Sequence, residues 1–448
     1  MAEQPVSVAL VSLGCAKNQV DSEVMLGLLE QAGHDVVEDV EQAEAIIVNT
    51  CCFIDDAKQE AIDALLDLAE HKRSGRCRLL ICAGCLAQRY GEELCSELPE
   101  VDAFVGTGRI AEIPEIIAAA LAGTRPVLTG RPQYVYSHDT PRWLSGPSWL
   151  RYVKIAEGCS HPCTFCVIPD VRGPYRSRPP DSIVAECRAA AEQGVRELLL
   201  ISQDTTAYGL DLQPRSSLVQ LLQALRPMRF PGWVRLLYLH PDRVDAPLIQ
   251  AVGELMPAVN YFDIPLQHVA PHLLRAMGRS GTGDTYLALV EQIRTAIPDA
   301  ALRTTFLLGF PGETDADFQD LLDFTDAARI DRLAGFVFSP QEGTPAYGLP
   351  GAVPVEVAQE RLRVLLEAQE GISLATNRTF VGQRLRVLLE HYDEERRLWH
   401  GRSSRDAPEI DGEVLLTVAR TAQTLAPGEF VWAMIEDAAP HDLYGRIP

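Results

Sequence analysis

A single cysteine-rich stretch organises this chain, namely Glu157-Gly158-Cys159-Ser160-His161-Pro162-Cys163-Thr164-Phe165-Cys166-Val167-Ile168-Pro169. Its cysteines follow a C-x3-C-x2-C spacing, directly after the apolar, strand-like run 152–156. Thiolates are soft ligands that suit iron–sulfur clusters or zinc. Three thiolates on a four-iron cluster would leave one iron open to another ligand, as a catalytic zinc site keeps an open position. Two alternatives remain, a zinc site with His161 as the fourth ligand and three free thiols.

The composition is typical of a globular protein with a substantial core. Of the 448 residues, 47% are hydrophobic and 23% are charged. Such a length allows about three domains. The formal net charge is −22. A negative field of this size repels phosphate backbones and attracts basic partners, so it disfavours a nucleic-acid substrate.

Cysteine usage and hydropathy indicate the compartment. Eleven cysteines in a chain without a secretory signal suggest metal ligands or buried thiols rather than disulfides. No apolar run reaches the roughly 18 residues that a membrane-spanning helix needs. We therefore expect a cytoplasmic protein with no membrane partner.

Predicted strands and helices alternate over residues 5–118, which we take as the first domain. This alternation predicts a parallel sheet with helices on its faces. The expected strands are 6–13, 45–49, 79–83 and 101–105, and Asp21 or Ser22 is expected to cap the first helix.

Cys15, Cys51 and Cys85 each follow one of the first three strands of this domain. In an open α/β sheet, the loops at the carboxyl ends of the strands form one crevice, where ligands bind. Three thiolates that are far apart in sequence would therefore meet at one edge, which predicts a second cysteine site. Two alternatives stay open: Cys52 can replace Cys51 as a ligand, and the Cys82-x-x-Cys85 pair can form a redox or zinc motif.

A second series of strands and helices follows at residues 145–375, after a stretch rich in Pro, Gly and Ser at 119–144 that is typical of a linker. The expected strands are 151–156, 196–202, 233–239, 259–264, 301–308 and 334–339, and the expected helices are 181–193, 216–225, 245–256, 283–296, 314–328 and 354–374. Six βα units are too few for a closed eight-unit barrel.

In βα barrels, the chemistry lies on loops at the carboxyl ends of the strands. Here these loops carry polar or glycine-rich groups, namely Gln203-Asp204, His240-Pro241, Gln267-His268, Gly309-Phe310-Pro311-Gly312-Glu313 and Ser339-Pro340-Gln341-Glu342. They are candidates for a ligand site, although His240, Gln267 or His268 can equally be a hydrogen-bonded structural residue.

Short strand-like runs at residues 376–447 predict a small all-β barrel. They lie at 385–390, 398–401, 413–418 and 430–436. From 376 to 448 the chain has nine arginines and no lysine against twelve acidic residues, a net charge of −3. This face is either ordinary solvated surface or a docking surface for a basic protein.

Several motifs resemble known families. Cys159, Cys163 and Cys166, with Phe165 before the last of them, resemble the signature of radical S-adenosylmethionine (SAM) enzymes. In the first domain, three motifs resemble methylthiotransferases: Gly14-Cys15-Ala16-Lys17-Asn18, Asn49-Thr50-Cys51-Cys52-Phe53-Ile54 and Gly84-Cys85-Leu86-Ala87-Gln88-Arg89-Tyr90. Near the end, two motifs resemble the TRAM domain, usually an RNA-binding module: Asp406-Ala407-Pro408-Glu409-Ile410-Asp411-Gly412 and Asp442-Leu443-Tyr444-Gly445.

The resemblance to radical SAM methylthiotransferases covers nearly the whole chain and implies both fold and cofactors. It implies an N-terminal parallel α/β sheet domain, a central open (βα)6 partial barrel and a small C-terminal TRAM barrel. It also implies two 4Fe-4S clusters, one that binds and cleaves SAM on Cys159, Cys163 and Cys166, and an auxiliary one that delivers sulfur on Cys15, Cys51 and Cys85. By the same analogy, further contacts to SAM come from Gln203, Gly309, Glu313 and Arg176.

Two substrates compete within this family. Val20-Asp21-Ser22-Glu23 and Gln341-Glu342-Gly343-Thr344-Pro345 resemble the RimO type, which modifies an aspartyl β-carbon of the twelfth small-subunit ribosomal protein. The MiaB-like type modifies an adenosine of tRNA, a polyanion that the net charge of −22 disfavours. The more remote alternative is a non-catalytic iron–sulfur protein that binds RNA.

The implied reaction uses two molecules of SAM. One is cleaved to a 5′-deoxyadenosyl radical that removes hydrogen from the aspartyl β-carbon, and the other donates a methyl group to the sulfur that joins this carbon. The implied partners are a basic ribosomal protein as substrate and an electron donor such as a flavodoxin.

Overall fold

The computed structural model describes residues 5–254, 258–418 and 425–448. Over these ranges the chain forms a parallel α/β domain, a partial βα barrel and a closed β-barrel, in the predicted order. None of the described helices is both long and apolar enough to cross a lipid bilayer.

The first domain is a parallel sheet covered by helices. Its strands are β1 (Ser7–Ser12), β2 (Asp35–Val36), β3 (Ala45–Thr50), β4 (Leu79–Gly84), β5 (Ala103–Gly106) and β6 (Val127–Leu128). Its helices are α1 (Ala16–Gln31), α2 (Asp55–Ser74), α3 (Cys85–Glu97) and α4 (Ile113–Leu121). The strand order is β2-β1-β3-β4-β5-β6. Because β3 and β4 are covered on both faces, they are buried along their whole length and mostly apolar.

The structure corrects the predicted start of the first helix. The sequence predicts a cap at Asp21 or Ser22, whereas α1 already begins at Ala16. Both polar side chains are buried within the helix because they bind other elements. Asp21 accepts a hydrogen bond of 3.0 Å from Arg172 of the central domain, and Ser22 donates one of 2.9 Å to Ser12.

The stretch 119–144, expected to be a linker, is fastened to both neighbouring domains. Its strand β6 extends the first sheet beside β5. Further along, Arg142 donates to Glu23 of α1 and to Glu186 of the central domain. All three side chains are buried or nearly so, so the stretch is packed and ion-paired rather than a free connection.

The central domain is an open barrel of parallel strands with helices outside. Its elements are β7 (Leu150–Lys154), β8 (Ala156–Glu157), α5 (Ile168–Arg172), β9 (Arg176–Ser177), α6 (Pro180–Glu192), β10 (Glu197–Ile201), α7 (Leu218–Leu225), β11 (Trp233–Leu236), α8 (Ala246–Glu254), β12 (Tyr261–Asp263), α9 (Pro271–Ala276), α10 (Gly283–Ala296), β13 (Ala301–Leu308), α11 (Asp315–Ala328), β14 (Arg332–Val337) and α12 (Val355–Arg378). β7, β10 and β11 pair in parallel, as do β12, β13 and β14, and a bridge between Val234 and Ala258 joins the two groups. The predicted end of the helix at 245–256 lies outside the described residues.

Strand β10 shows how this barrel shares its core with the first domain. Successive side chains of a strand point to opposite faces. Leu198 and Leu200 pack into the core beneath the outer helices. Leu199 and Ile201 instead join a core that includes Val24 of α1. The inner face of the barrel is therefore closed by the first domain.

The C-terminal barrel consists of β15 (Arg384–Asp393), β16 (Leu398–Ser403), β17 (Val414–Val418), β18 (Phe430–Ala438) and β19 (Leu443–Ile447). They close in the order β15-β16-β17-β19-β18. The sequence predicts the first four, but β19 is a short alternation interrupted by Gly445 and carries no strong strand signal.

A buried ionic triad joins this barrel to the amino end of β10. Glu197 lies 2.7 Å from Arg235 and 2.7 Å from Arg402, and all three side chains are almost wholly buried. Burial alone would raise the pKa of Glu197, but the two guanidinium groups hold it below its ordinary value.

We predict that Glu197→Gln destabilises this junction by about 3 kcal/mol, because it leaves the buried Arg235 guanidinium without a carboxylate and Arg402 with Glu390 alone. Urea unfolding followed by tryptophan fluorescence would measure the loss, since Trp233 lies at this junction. As a control, Glu360→Gln removes the exposed partner of Arg363 on α12 and should leave the midpoint unchanged. Equal midpoints for Glu197→Gln and wild type would contradict the role of the triad.

Candidate functional site

A cavity of about 440 Å³ lies between the first domain and the carboxyl ends of the central strands. Its wall contains all of the predicted cysteine ligands, namely Cys15, Cys51, Cys85, Cys159, Cys163 and Cys166. The first three form the first-domain triad and the last three form the central triad. The two triads, which are distant in sequence, thus border the same space.

The parallel sheet brings the first-domain triad together. Cys15, Cys51 and Cys85 directly follow β1, β3 and β4, which are neighbours in the sheet. Gly14 and Gly84 precede two of these cysteines with φ of 92° and 93°, a conformation that favours glycine. A Cβ on Gly14 would lie 2.9 Å from Cys51 Cβ, so glycine is needed for the loops to approach this closely.

Cys51 and its neighbour Cys52 have different surroundings. The Cys52 thiol is fully buried and donates to the carbonyl of Cys85 at 3.3 Å. Burial raises its pKa to about 12. Both cysteines border the cavity, but the Cys52 thiol is held by the Cys85 carbonyl whereas Cys51 is partly exposed, which favours Cys51 as the ligand. Cys82 is buried in β4 beside Thr50 and is not part of the cavity wall, so nothing here supports its pairing with Cys85.

Each triad supplies three thiols, which is the donor set of a four-iron cluster with one iron left open. Among the residues that the structure describes, no three His, Cys, Asp or Glu side chains converge as the ligands of one metal ion would. The thiolates of a four-iron cluster bind different iron atoms and therefore surround a volume. His161, the alternative zinc ligand, already binds Asp204 through Nε2 at 2.6 Å, with Arg243 2.8 Å from the same atom.

Arg172 connects the two triads. Its guanidinium is buried and donates to Asn18 at 2.6 Å, to Asp21 at 3.0 Å and to Glu157 at 3.2 Å. Glu157 precedes the first cysteine of the central triad, whereas Asn18 lies one turn after Cys15. Lys154 also pairs with Asp21 and Glu157. Two cations and two carboxylates thus form one buried network across the domain boundary.

Asn18 extends this network to the loops of the first-domain triad. Its amide donates to the carbonyls of Leu13 at 2.8 Å and Thr50 at 3.0 Å. These residues immediately precede Gly14 and Cys51, so one side chain fixes the spacing of two cysteine loops.

The same cations favour thiolate at the first-domain triad. Burial alone would raise the pKa of the Cys15 thiol, but Lys17 and Arg172 lower it below its ordinary value. Burial raises the pKa of Cys85 above its ordinary range, although Arg172 opposes that shift. Positive charge placed here would also offset the negative charge that three thiolates bring to a cluster.

The other predicted site residues divide into two groups. Gln203 forms part of the cavity wall, as do His240 and Gln267. Arg176 is not part of this wall. It donates to the carbonyls of Pro174 and Arg172 and so supports the loop that follows the central triad, and its contact with SAM stays a prediction.

Gly309 and Glu313 are not part of the cavity wall. The Glu313 carboxylate accepts from the Gly309 amide at 2.6 Å and from Arg361 at 2.8 Å. This gives the pair a local role in holding the turn after β13, and their contact with SAM stays a prediction.

Sequence reasoning missed several residues of the cavity wall, among them Lys17, Tyr238 and Arg279. Lys17 lies inside the motif at residues 14–18, but that motif alone indicates no role for its side chain. Tyr238 has a φ of 62°, which is rare for a bulky residue and visible only in three dimensions. Arg279 lies 3.9 Å from the Cys163 sulfur, a contact with no local sequence signal.

Three family models match successive parts of the chain. The Uncharacterized protein family UPF0004 matches residues 7–106, the Radical SAM superfamily matches 153–325 and the TRAM domain matches 381–447. Each lies within one of the three domains described above.

Curated relatives span almost the whole chain. The ribosomal protein uS12 methylthiotransferase RimO of Desulforudis audaxviator is 46% identical over 440 residues, which cover 98% of this chain and 96% of the relative. The protein of the same name from Geobacter sulfurreducens is 45% identical, and the match covers 100% of both chains.

Among solved structures, the radical SAM methyltransferase TsrM from Kitasatospora setae, with cobalamin and a [4Fe-4S] cluster bound, is similar in fold. Its TM-score is 0.57 at 16% sequence identity, over 80% of this chain and 78% of that one. At this identity the likeness concerns the fold alone.

We predict that Cys51→Ala lowers the iron content of the reconstituted protein by about four atoms per chain, the content of one 4Fe-4S cluster. Cys52→Ala should retain the wild-type iron content, because the Cys52 thiol is engaged by the Cys85 carbonyl. Iron and sulfide analysis after anaerobic reconstitution would measure both. The opposite pattern would make Cys52 the ligand.

Proposed function

This chain belongs to the ribosomal protein uS12 methylthiotransferase family of radical SAM enzymes, and on that premise we propose that it attaches a methylthio group to an aspartyl β-carbon of uS12. One observation carries the proposal: two cysteine triads border the same cavity. A radical formed at one triad and a sulfur atom held at the other would both reach a side chain placed between them.

The two triads have different roles in this proposal. When bound, the cluster on the central triad supplies the radical from SAM, and the cluster on the first-domain triad supplies sulfur. The chain itself provides an enclosed site, since the first domain covers the open face of the barrel. Arg172 and Lys154 supply buried positive charge between the triads. Gln203 borders the cavity and stays a candidate contact for SAM.

The charge distribution favours a basic protein over tRNA as substrate. The net charge of −22 attracts basic proteins and repels a polyanion. A groove lined by arginines does lie at the amino ends of the central strands, opposite the cavity. Two of its arginines are already engaged, since Arg386 donates to the Pro231 carbonyl and Arg405 pairs with Asp331.

The reaction also needs partners outside the chain. Cleavage of SAM to a radical consumes an electron, so a reductant such as a flavodoxin must reach the central triad. A ribosomal protein as substrate supports a cytoplasmic location for the enzyme.

We predict that the reconstituted enzyme modifies uS12 and not tRNA. The protein is loaded anaerobically with iron and sulfide, given SAM and a reductant, and offered uS12 and hypomodified tRNA in parallel. Mass spectrometry should find a methylthio group on an aspartyl peptide and none on nucleosides. A methylthio-adenosine without modified peptide would show that a local basic surface governs recognition.

A second prediction separates the two triads. Replacing Cys15, Cys51 and Cys85 together by Ala should spare SAM cleavage but abolish thiolation, because only the sulfur-delivering site is lost. Replacing Cys159, Cys163 and Cys166 by Ala should abolish both activities. Chromatography of 5′-deoxyadenosine and mass spectrometry of the peptide provide the two measurements. Full thiolation by the first variant would show that the first-domain triad does not deliver the sulfur.

A further inference from the structure

Lys17 differs from every other lysine of this chain. The sequence contains only four, at positions 17, 58, 72 and 154. Three of them form salt bridges, namely Lys58 with Asp55, Lys72 with Asp102, and Lys154 with Asp21 and Glu157. The side-chain ammonium group of Lys17 forms neither a salt bridge nor a hydrogen bond with any residue that the structure describes; its contact is with the Tyr238 ring.

The position of Lys17 makes this isolation costly. The residue is only 4% exposed, and it belongs to the wall of the cavity that the two triads border. Its ammonium group lies 3.2 Å from the centroid of the Tyr238 ring. A cation–π contact does not replace a carboxylate partner, and burying an unpaired charge is unfavourable. A buried ammonium that faces a cavity therefore indicates an anionic ligand in that cavity.

The backbone of Tyr238, whose ring contacts the Lys17 ammonium, is strained. Tyr238 has a φ of 62°, and its amide donates to the Asp263 carboxylate at 2.9 Å. Such outliers persist where the surrounding structure fixes them, and they cluster at functional sites. Lys17 comes from α1 of the first domain, whereas Tyr238 follows β11 of the central domain. The pair thus forms across the domain boundary, beside the first-domain triad.

The other strong cations of the cavity are already engaged. Arg172 binds Asn18, Asp21 and Glu157. Arg279 donates to the Pro265 carbonyl at 2.8 Å and lies beside a sulfur of the central triad, on the side where SAM is cleaved. Among the described residues of the cavity wall, Lys17 is therefore the Lys or Arg whose charged group has no salt bridge or hydrogen bond, and it lies beside Cys15 of the sulfur-delivering site.

We propose that Lys17, supported by Tyr238, binds the side-chain carboxylate of the aspartyl residue that is modified. This inference rests on the proposed function and names the residue that selects its substrate. In aspartate the carboxylate carbon is bonded directly to the β-carbon. An ammonium group that holds the carboxylate therefore fixes the β-carbon beside the first-domain triad, and it distinguishes aspartate from the neutral, isosteric asparagine.

The competing explanation is that Lys17 only balances the charge of the thiolates at Cys15 and its partners. That role would change the properties of the bound cluster and would not depend on the peptide. Peptide affinity and the spectrum of the cluster therefore separate the two explanations.

The test uses anaerobically reconstituted full-length enzyme and two fluorescent peptides with the uS12 sequence, one with the target aspartate and one with asparagine there. Fluorescence anisotropy gives both dissociation constants. The wild type should bind the aspartate peptide about tenfold more tightly or better, the expected contribution of a charged hydrogen bond. Lys17→Met should bind both peptides equally, and Lys17→Arg should keep part of the preference. Lys72→Met, which removes the same charge far from the cavity, should behave as wild type.

The possible outcomes distinguish failure of the inference from failure of the proposed function. An aspartate preference that survives in Lys17→Met, with or without an altered electron paramagnetic resonance signal, overturns the inference. If the wild type methylthiolates the aspartate peptide but binds both peptides equally, only the inference fails. If the wild type neither binds nor modifies the peptide and modifies tRNA instead, the proposed function fails and the inference fails with it. If Lys17→Met does not fold, the wild-type comparison and Lys17→Arg still decide.

Discussion

Four buried charges hold the two halves of the site together. Asp21 of the first domain and Glu157 of the central domain share the cations Lys154 and Arg172. Removing one member of such a buried group leaves a charge without a partner and costs about 3–5 kcal/mol. Because Glu157 precedes one cysteine triad and Asp21 lies in the helix that follows Cys15, this network fixes the relative position of the triads. The network thus helps to hold open the cavity that lies between the triads.

Helix α1 carries residues of both the buried network and the cavity wall. Its first turn carries Lys17 and Asn18 at the cavity, and its middle carries Asp21 and Glu23 toward the central domain. The helix is buried on both faces, between its own sheet and the barrel. Burying a polar side chain without a partner is unfavourable, and Asp21 and Glu23 on this helix are met by Arg172 and Arg142 from beyond the first domain.

The sequence predicted those features that follow from local or general rules. Cys15, Cys51 and Cys85 were placed at one edge because the carboxyl ends of parallel strands meet there. Features that depend on the partner domain escaped prediction. Asp21 satisfies the local rule for a helix cap, yet it binds Arg172, which lies far along the chain. The isolation of Lys17 and the backbone of Tyr238 are likewise properties of the assembled structure, which no window of sequence contains.

The shared network also limits how this enzyme can change by recombination. A crossover in the stretch between the first two domains would join each domain to a foreign neighbour. Arg172 would then lose Asp21 and Asn18, and the arginine at 142 would lose Glu23. Such a chimaera would bury these guanidinium groups without their partners at the domain boundary, even if each part folded well alone. We therefore expect an exchanged first domain to be tolerated only when it supplies the partners of Arg172, namely Asp21 and Asn18.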